Sequence, residues 1–177
     1  MKVVNIVLKG SFGVSIDLGH LARSRDNVLY ERKIFSGARW RELGLCILVF
    51  ASGRFSLCGA KTMLGARETV YAYARCLNDI GYEATPRDLA VQTMTGSHDF
   101  GHVLPLEKLH DFLSPYADLT LELFPALIFK RNKKSATLFR NGKVNIAGGR
   151  SEDDLYDILN ELMVAVALST PDGNPQR

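Results

Sequence analysis

The sequence predicts an α+β protein made of two like units that share one sheet, with helices on one of its faces. Three observations carry this. A short motif occurs twice, as VFASGRFSLCGAK at 49–61 and LFRNGKVNIAGGR at 138–150. The copies keep a constant offset: Phe35 and Phe124, Phe50 and Phe139, Gly53 and Gly142, Gly59 and Gly148, and Lys61 and Arg150 are each 89 residues apart. A long helical pattern follows each copy. Such self-similarity marks a duplication, and two copies are too few for a stacked array. The repeats are expected at 1–88 and 89–168, with a disordered tail at 169–177.

Each element follows from local pattern. VVNIVLKGSF (3–12) is a β-branched run and reads as a strand. Asp17 is placed to cap a short helix over 17–25. Residues 27–59 supply several strands, with turn signals near Glu31–Lys33, Glu42–Gly44 and Ser52–Gly53. Met63, Ala66, Val70, Tyr73, Ala74 and Leu77 form a helical stripe within 62–82, which Gly81 closes. The second half repeats the order: a strand at 91–98, a short helix at 106–114, strands from 118, and a long helix over about 151–168. Ser151 caps that last helix, and three acids sit at the positive end of its dipole.

Period-two alternation assigns the sheet faces. Ile47, Val49, Phe55 and Leu57 point one way in the first half, as do Ala136, Leu138, Val144 and Ile146 in the second. These sets belong under the helices. Leu48, Phe50, Ser56 and Cys58, with Thr137, Phe139, Asn145 and Ala147, fall on the open side. Simple hairpins centred near 42.5 and 131.5 would set Phe35 opposite Phe50 and Phe124 opposite Phe139. Two aromatic pairs in repeat register on a face of mixed polarity ask for a partner.

Composition narrows the class. The net charge of +3 divides into +5 over residues 1–88 and −2 over 89–177, with positive charge collected between Lys130 and Arg150. No apolar run is long enough to span a membrane, and MKVVNIVLKG is already strand-like, so no signal peptide is expected. Cys46, Cys58 and Cys76 have no paired spacing and read as free thiols in a reducing compartment. No phosphate-loop or dinucleotide fingerprint occurs, and no catalytic residue or cofactor is assigned. His98 and His102 lack a third ligand, so no metal site is expected.

The motifs VVNIV, VFASGRFSLCGAK, AYARCLNDIGY, MTGSHD, LELFPALIF and LFRNGKVNIAGG resemble the TATA-box-binding protein family in order, spacing and duplication, over residues 3–168. The resemblance implies a pseudo-symmetric saddle: one curved antiparallel sheet, helices on its convex face and a concave face that sits on the minor groove of double-stranded DNA. It implies that Phe35, Phe50, Phe124 and Phe139 wedge between base pairs. Asn5, Val7, Leu48, Ser56, Cys58, Thr93, Thr95, Thr137, Asn145 and Ala147 would contact the groove; Arg39, Arg41, Arg54, Lys130, Arg131, Arg140 and Lys143 are, by their charge, candidates for the flanking phosphates. Glu122 and Leu123 match part of the family's surface for transcription factor IIB. A factor like transcription factor IIA and the RNA polymerase machinery complete the implied partners; off DNA, the apolar open face would suit a second copy of the chain. The implied location is the nucleus, or the site of viral transcription for a viral member.

The chain also departs from the family. Of four polar readers, two Asn and two Thr, only Asn5 is kept; Thr93, Cys58 and Ala147 hold the other three positions. Ser56 and Asn145 stand where valine is usual, and the loops at 41–45 and 130–135 look about two residues short. A DNA-bending initiation factor with an altered or relaxed TATA preference is therefore expected. The alternative is a paralogue that acts mainly as a protein-interaction scaffold.

Overall fold

The computed structural model describes residues 1–42, 44–120 and 124–170. The chain divides into two compact units, one of Asn5–Gln92 and one of Thr93 onward together with Met1–Val4. The boundary thus falls inside a strand and after residue 88, where the sequence repeats divide.

The first unit holds β1 (Lys2–Ser11, from Asn5 onward), α1 (Leu18–Ser24), β2 (Val28–Leu29), β3 (Gly37–Glu42), β4 (Leu45–Phe50), β5 (Arg54–Ala60) and α2 (Met63–Asn78). Its strands run in the order β2-β3-β4-β5-β1, all paired antiparallel. The second unit holds β6 (Arg87–Asp99, from Thr93), α3 (Leu106–Leu113), β7 (Ala117–Leu119), β8 (Ala126–Arg131), β9 (Lys134–Phe139), β10 (Lys143–Gly149) and α4 (Glu152–Ser169). Its order is β6-β10-β9-β8-β7, again antiparallel. Ser169 is helical and buried, so the predicted tail starts too early; residues 171–177 lie outside the described ones.

The helices begin where side chains can take up their free N–H groups. Asp17 accepts from the N–H groups of Gly19 and His20, Thr62 from Gly65, and Ser151 from Asp154. At the end of α2, Gly81 lies at φ +95° and the Tyr82 N–H reaches back to the Leu77 carbonyl, which closes the last turn.

Alternation separates the faces as expected. In the first unit Ile47, Val49, Phe55 and Leu57 are buried, along with Ala66, Val70, Tyr73, Ala74 and Leu77 of α2. In the second, Leu127, Phe129, Ala136, Leu138, Val144 and Ile146 are buried, along with Leu155, Ile158, Leu159 and Leu162 of α4. Each fully buried valine, leucine, isoleucine or phenylalanine among them contributes about 1.5–3 kcal/mol, and truncating Leu57 to alanine would cost about 2–5 kcal/mol.

The duplication extends to backbone hydrogen bonds. The Phe12 and Ile16 N–H groups donate to the carbonyls of Gly53 and Ala51, both at 2.9 Å. The Phe100 and Leu104 N–H groups donate to Gly142 and Arg140, at 3.0 and 2.9 Å. These bonds press a loop against the β4–β5 and β9–β10 turns. A Cβ on Gly53 would stand 1.9 Å from the Val14 carbonyl oxygen, and one on Gly142 2.4 Å from that of His102.

One register expectation is corrected. Phe50 pairs with Gly37 and Phe139 with Ala126, so neither Phe35 nor Phe124 is a strand partner of the second phenylalanine. The hairpins close as Glu42 with Leu45 and Arg131 with Lys134, one residue later than the assumed centres. In the second hairpin Asn132 and Lys133 both take positive φ, +50° and +64°, the mirror-image turn that suits the twist of paired strands.

Candidate nucleic-acid interface

Each unit leaves one sheet face without a helix, and the candidate residues can be placed on it by register. In the first unit Phe35 and Phe50 meet edge to face, with ring centroids 5.9 Å apart. In the second, Phe124 and Phe139 do the same at 6.2 Å. Phe35 and Phe124 are each 44% exposed. Phe35 and Phe124 lie just before β3 and β8, outside the paired strands.

Beside each pair lies an open groove. The first, about 860 Å³, includes Lys9, Leu48, Phe50, Arg54, Ser56 and Gln92 in its lining. The second, about 780 Å³, includes Ser97, Phe139, Asn141, Lys143 and Asn145. Phe50, Arg54 and Ser56 are the repeat counterparts of Phe139, Lys143 and Asn145, so the duplication places equivalent side chains around equivalent grooves. Lys9 and Ser97 are additions that sequence reasoning missed. They pair with Ser56 and Asn145, and continuing the two-residue period from Asn5 through Val7 would have found Lys9.

Across the open face of the second unit, Thr137 pairs with Asn145 and Asn145 with Ser97. Thr95 pairs with Ala147. Across the first, Leu48 pairs with Ser56 and Cys46 with Cys58. Burial, then the neighbouring Cys46, push the Cys58 thiol up. Asn5 and Val7 are half-buried, as are Thr93 and Thr95. The Asn5 Oδ1 accepts the Gly59 N–H at 2.9 Å, beside an irregularity in the β1–β5 pairing. That bond settles the amide's orientation and leaves its NH2 as the unengaged end.

The seven cations separate into groups. Arg41 and Lys130 are repeat counterparts, as are Arg54 and Lys143. These four and Arg39 are exposed, and none makes an ion pair among the described residues. Arg131 instead pairs with Glu161 of α4, on the helix side, and its guanidinium lies 5.3 Å from the Tyr116 ring centroid. Arg140 pairs with Glu107 of α3. Glu122 and Leu123 lie outside the described residues.

Other chemistry finds little footing. Among the described residues no three His, Cys, Asp or Glu side chains gather closely enough to hold a metal. His98 and His102 each face the Phe100 ring. Cys46, Cys58 and Cys76 are free thiols. No helix among the described residues is long and apolar enough to cross a membrane.

Comparison with known proteins identifies the architecture. The family described as transcription factor TFIID, or TATA-binding protein, matches residues 1–80 and 88–167. The TATA-box-binding protein of Caenorhabditis elegans is 33% identical over 162 residues, covering 89% of this chain and 48% of that protein. The one from Saccharomyces cerevisiae is 31% identical over 156 residues, covering 86% of this chain and 65% of that protein. The chain therefore spans about half to two thirds of the length of these relatives. The solved structure of Methanococcus jannaschii TBP superposes with a TM-score of 0.85 at 27% identity, over 93% of this chain and 97% of that one. The fold is thus the α+β fold of that structure, and the family is one of transcription factors, not of enzymes. On the match to both repeats, the chain belongs to the transcription factor TFIID, or TATA-binding protein, family.

Proposed function

We propose that the chain binds the minor groove of A·T-rich double-stranded DNA, bends it, and nucleates a transcription initiation complex in the nucleus. The observation that carries this is the pair of edge-to-face phenylalanine couples, Phe35 with Phe50 and Phe124 with Phe139, each on a helix-free sheet face. An apolar ring inserted at a base step unstacks it for a few kcal/mol, offset by the added protein surface that bent DNA touches. Arg39, Arg41, Arg54, Lys130 and Lys143, exposed and without an ion pair among the described residues, are able to meet phosphate.

Selectivity in the centre of the site is altered. Cys58, Ala147 and Thr93 replace three polar readers, and each lost hydrogen bond removes about 0.5–1.5 kcal/mol net. Asn145, exposed beside Thr137 and Ser97, can donate to the acceptors of A·T pairs or accept from the amino group of guanine. The preference is therefore displaced from strict TATA and tolerates G·C centrally. A factor like transcription factor IIB docks at Glu122 and Leu123, with a factor like transcription factor IIA and polymerase as further partners.

Selection of duplexes from a random pool, with bending read by energy transfer between the duplex ends, tests this. Wild type enriches A·T-rich sites with a relaxed centre and bends them. The Phe50→Ala/Phe139→Ala variant loses bending and binds about tenfold more weakly, equivalent to about 1.4 kcal/mol. A variant that supports initiation without bending favours the protein scaffold instead.

A further inference from the structure

We infer that Cys46 and Cys58 form a two-thiol site on the open face of the first unit, which a hydroperoxide closes to a disulfide, lowering duplex binding. The effect on binding rests on the function proposed above; the closure does not.

The two cysteines are direct partners across β4 and β5, and both are half-buried. Side chains so opposed have Cβ atoms about 4.5–5.5 Å apart. A disulfide needs about 3.5–4.5 Å, so closure draws the strands together by about 1 Å. The thiols share an open pocket of about 590 Å³ with Asn5, Arg41, Gly44, Leu45 and Gly59, which gives a small oxidant access. The same register in the second unit joins Ser135 to Ala147, which have no sulfur, so only one half can respond. The third thiol, Cys76, is on α2, where it faces Glu42.

The chemistry balances without another reagent. One sulfur, as thiolate, attacks a peroxide oxygen; the O–O bond breaks and a sulfenic acid forms, with water or an alcohol leaving. The second sulfur attacks the first, the S–O bond breaks, and water leaves. Two thiols lose two protons and two electrons, and the peroxide is reduced. Cys58 holds a polar reader's position, so tying it to Cys46 removes its thiol hydrogen and reshapes the surface that meets bases.

The test treats the full chain with one equivalent of hydrogen peroxide. Free thiols are then counted, tryptic peptides mapped, and affinity measured for an A·T-rich duplex before and after a dithiol reductant. Trypsin cuts after Arg54, between the two cysteines, so closure appears as two peptides joined by a disulfide. The site predicts that joined pair, a loss of two free thiols, and about tenfold weaker binding that the reductant restores. Cys76→Ser closes as wild type does; Cys46→Ser yields no joined pair, and its affinity is the same before and after peroxide. Absence of the joined peptides, or a bridge to Cys76, overturns the site. A joined pair with unchanged affinity, in protein that binds when reduced, overturns the control of binding. If reduced protein binds no duplex, the proposed function fails, and the peptide map alone decides the site.

Discussion

Phe35 and Phe50 touch ring edge to ring face although they are not strand partners, because the residue opposite Phe50 is Gly37. A Cβ at 37 would lie 2.8 Å from the Phe35 ring and 3.0 Å from the Phe50 ring. Ala126 fills the same position in the second unit, where the rings stand slightly farther apart, at 6.2 Å. At Gly37 the two rings thus leave no room for a side chain.

Salt dependence separates the cations. Alanine at Arg54, and alanine at Lys143, should each lower the slope of log affinity against log salt by about one. Alanine at Arg131 should leave the slope unchanged, since that guanidinium is held by Glu161 on the helix side. Titrations of one duplex at several salt concentrations decide this, and an equal drop for Arg131→Ala would refute the placement.

Tyr73 holds the end of the β3–β4 hairpin from below. Its hydroxyl accepts the Glu42 N–H at 2.9 Å and lies 2.6 Å and 2.9 Å from the Glu42 and Leu45 carbonyls. Burial pushes its pKa up to about 12. Tyr73→Phe keeps the contact with Trp40 but leaves these backbone groups unmatched, so urea unfolding should show a loss of about 1–3 kcal/mol.

Two glycines at the same φ of +78° should respond differently to alanine. Gly44 has open space around its missing Cβ, so Gly44→Ala costs only the left-handed backbone, about 1–2 kcal/mol. Gly53→Ala adds a collision with the Val14 carbonyl and should cost at least about twice as much. Denaturant midpoints compare them, and equal losses would contradict the loop contact.

Acid should expose the link between β9 and α4. The Lys134 ammonium, 2.6 Å away, is the main cause that holds the Asp154 carboxyl at about 2, against an ordinary 3.8; the Arg150 N–H adds to it. A lowered carboxyl pKa stabilises the fold fully above 3.8, and that stabilisation is lost as pH falls through 3.8 towards about 2. Asp154→Asn should therefore lower Tm at neutral pH, with a difference from wild type that shrinks across that window. A constant difference would assign the effect to the helix cap.

Much of this was legible before any coordinates. The faces around Ile47–Cys58 and Ala136–Ala147 follow from alternation, which survives a small error in register because side-chain direction repeats every two residues. The partners of Phe50 and Phe139 did not follow. They depend on where each hairpin turns, and Asn132–Lys133 turns without the glycine that usually marks the position. In the sequence, charge alone groups Arg131 and Arg140 with the other cations. Charge type carries no face, and their partners, Glu161 and Glu107, sit on helices distant in sequence.

Asn5 carries one more consequence. Its oxygen is held by the Gly59 N–H, so its amide turns the two NH2 hydrogens outward and acts chiefly as a donor, whereas the matching place in the other repeat holds Thr93, a hydroxyl that both gives and takes. On a nearly palindromic ladder of bases, the two directions of docking are then no longer equal. One hydrogen bond's difference, about 1 kcal/mol, favours one heading several-fold. Cleavage from a probe tethered to one end of the protein would read that handedness, and equal cutting on both flanks would deny it.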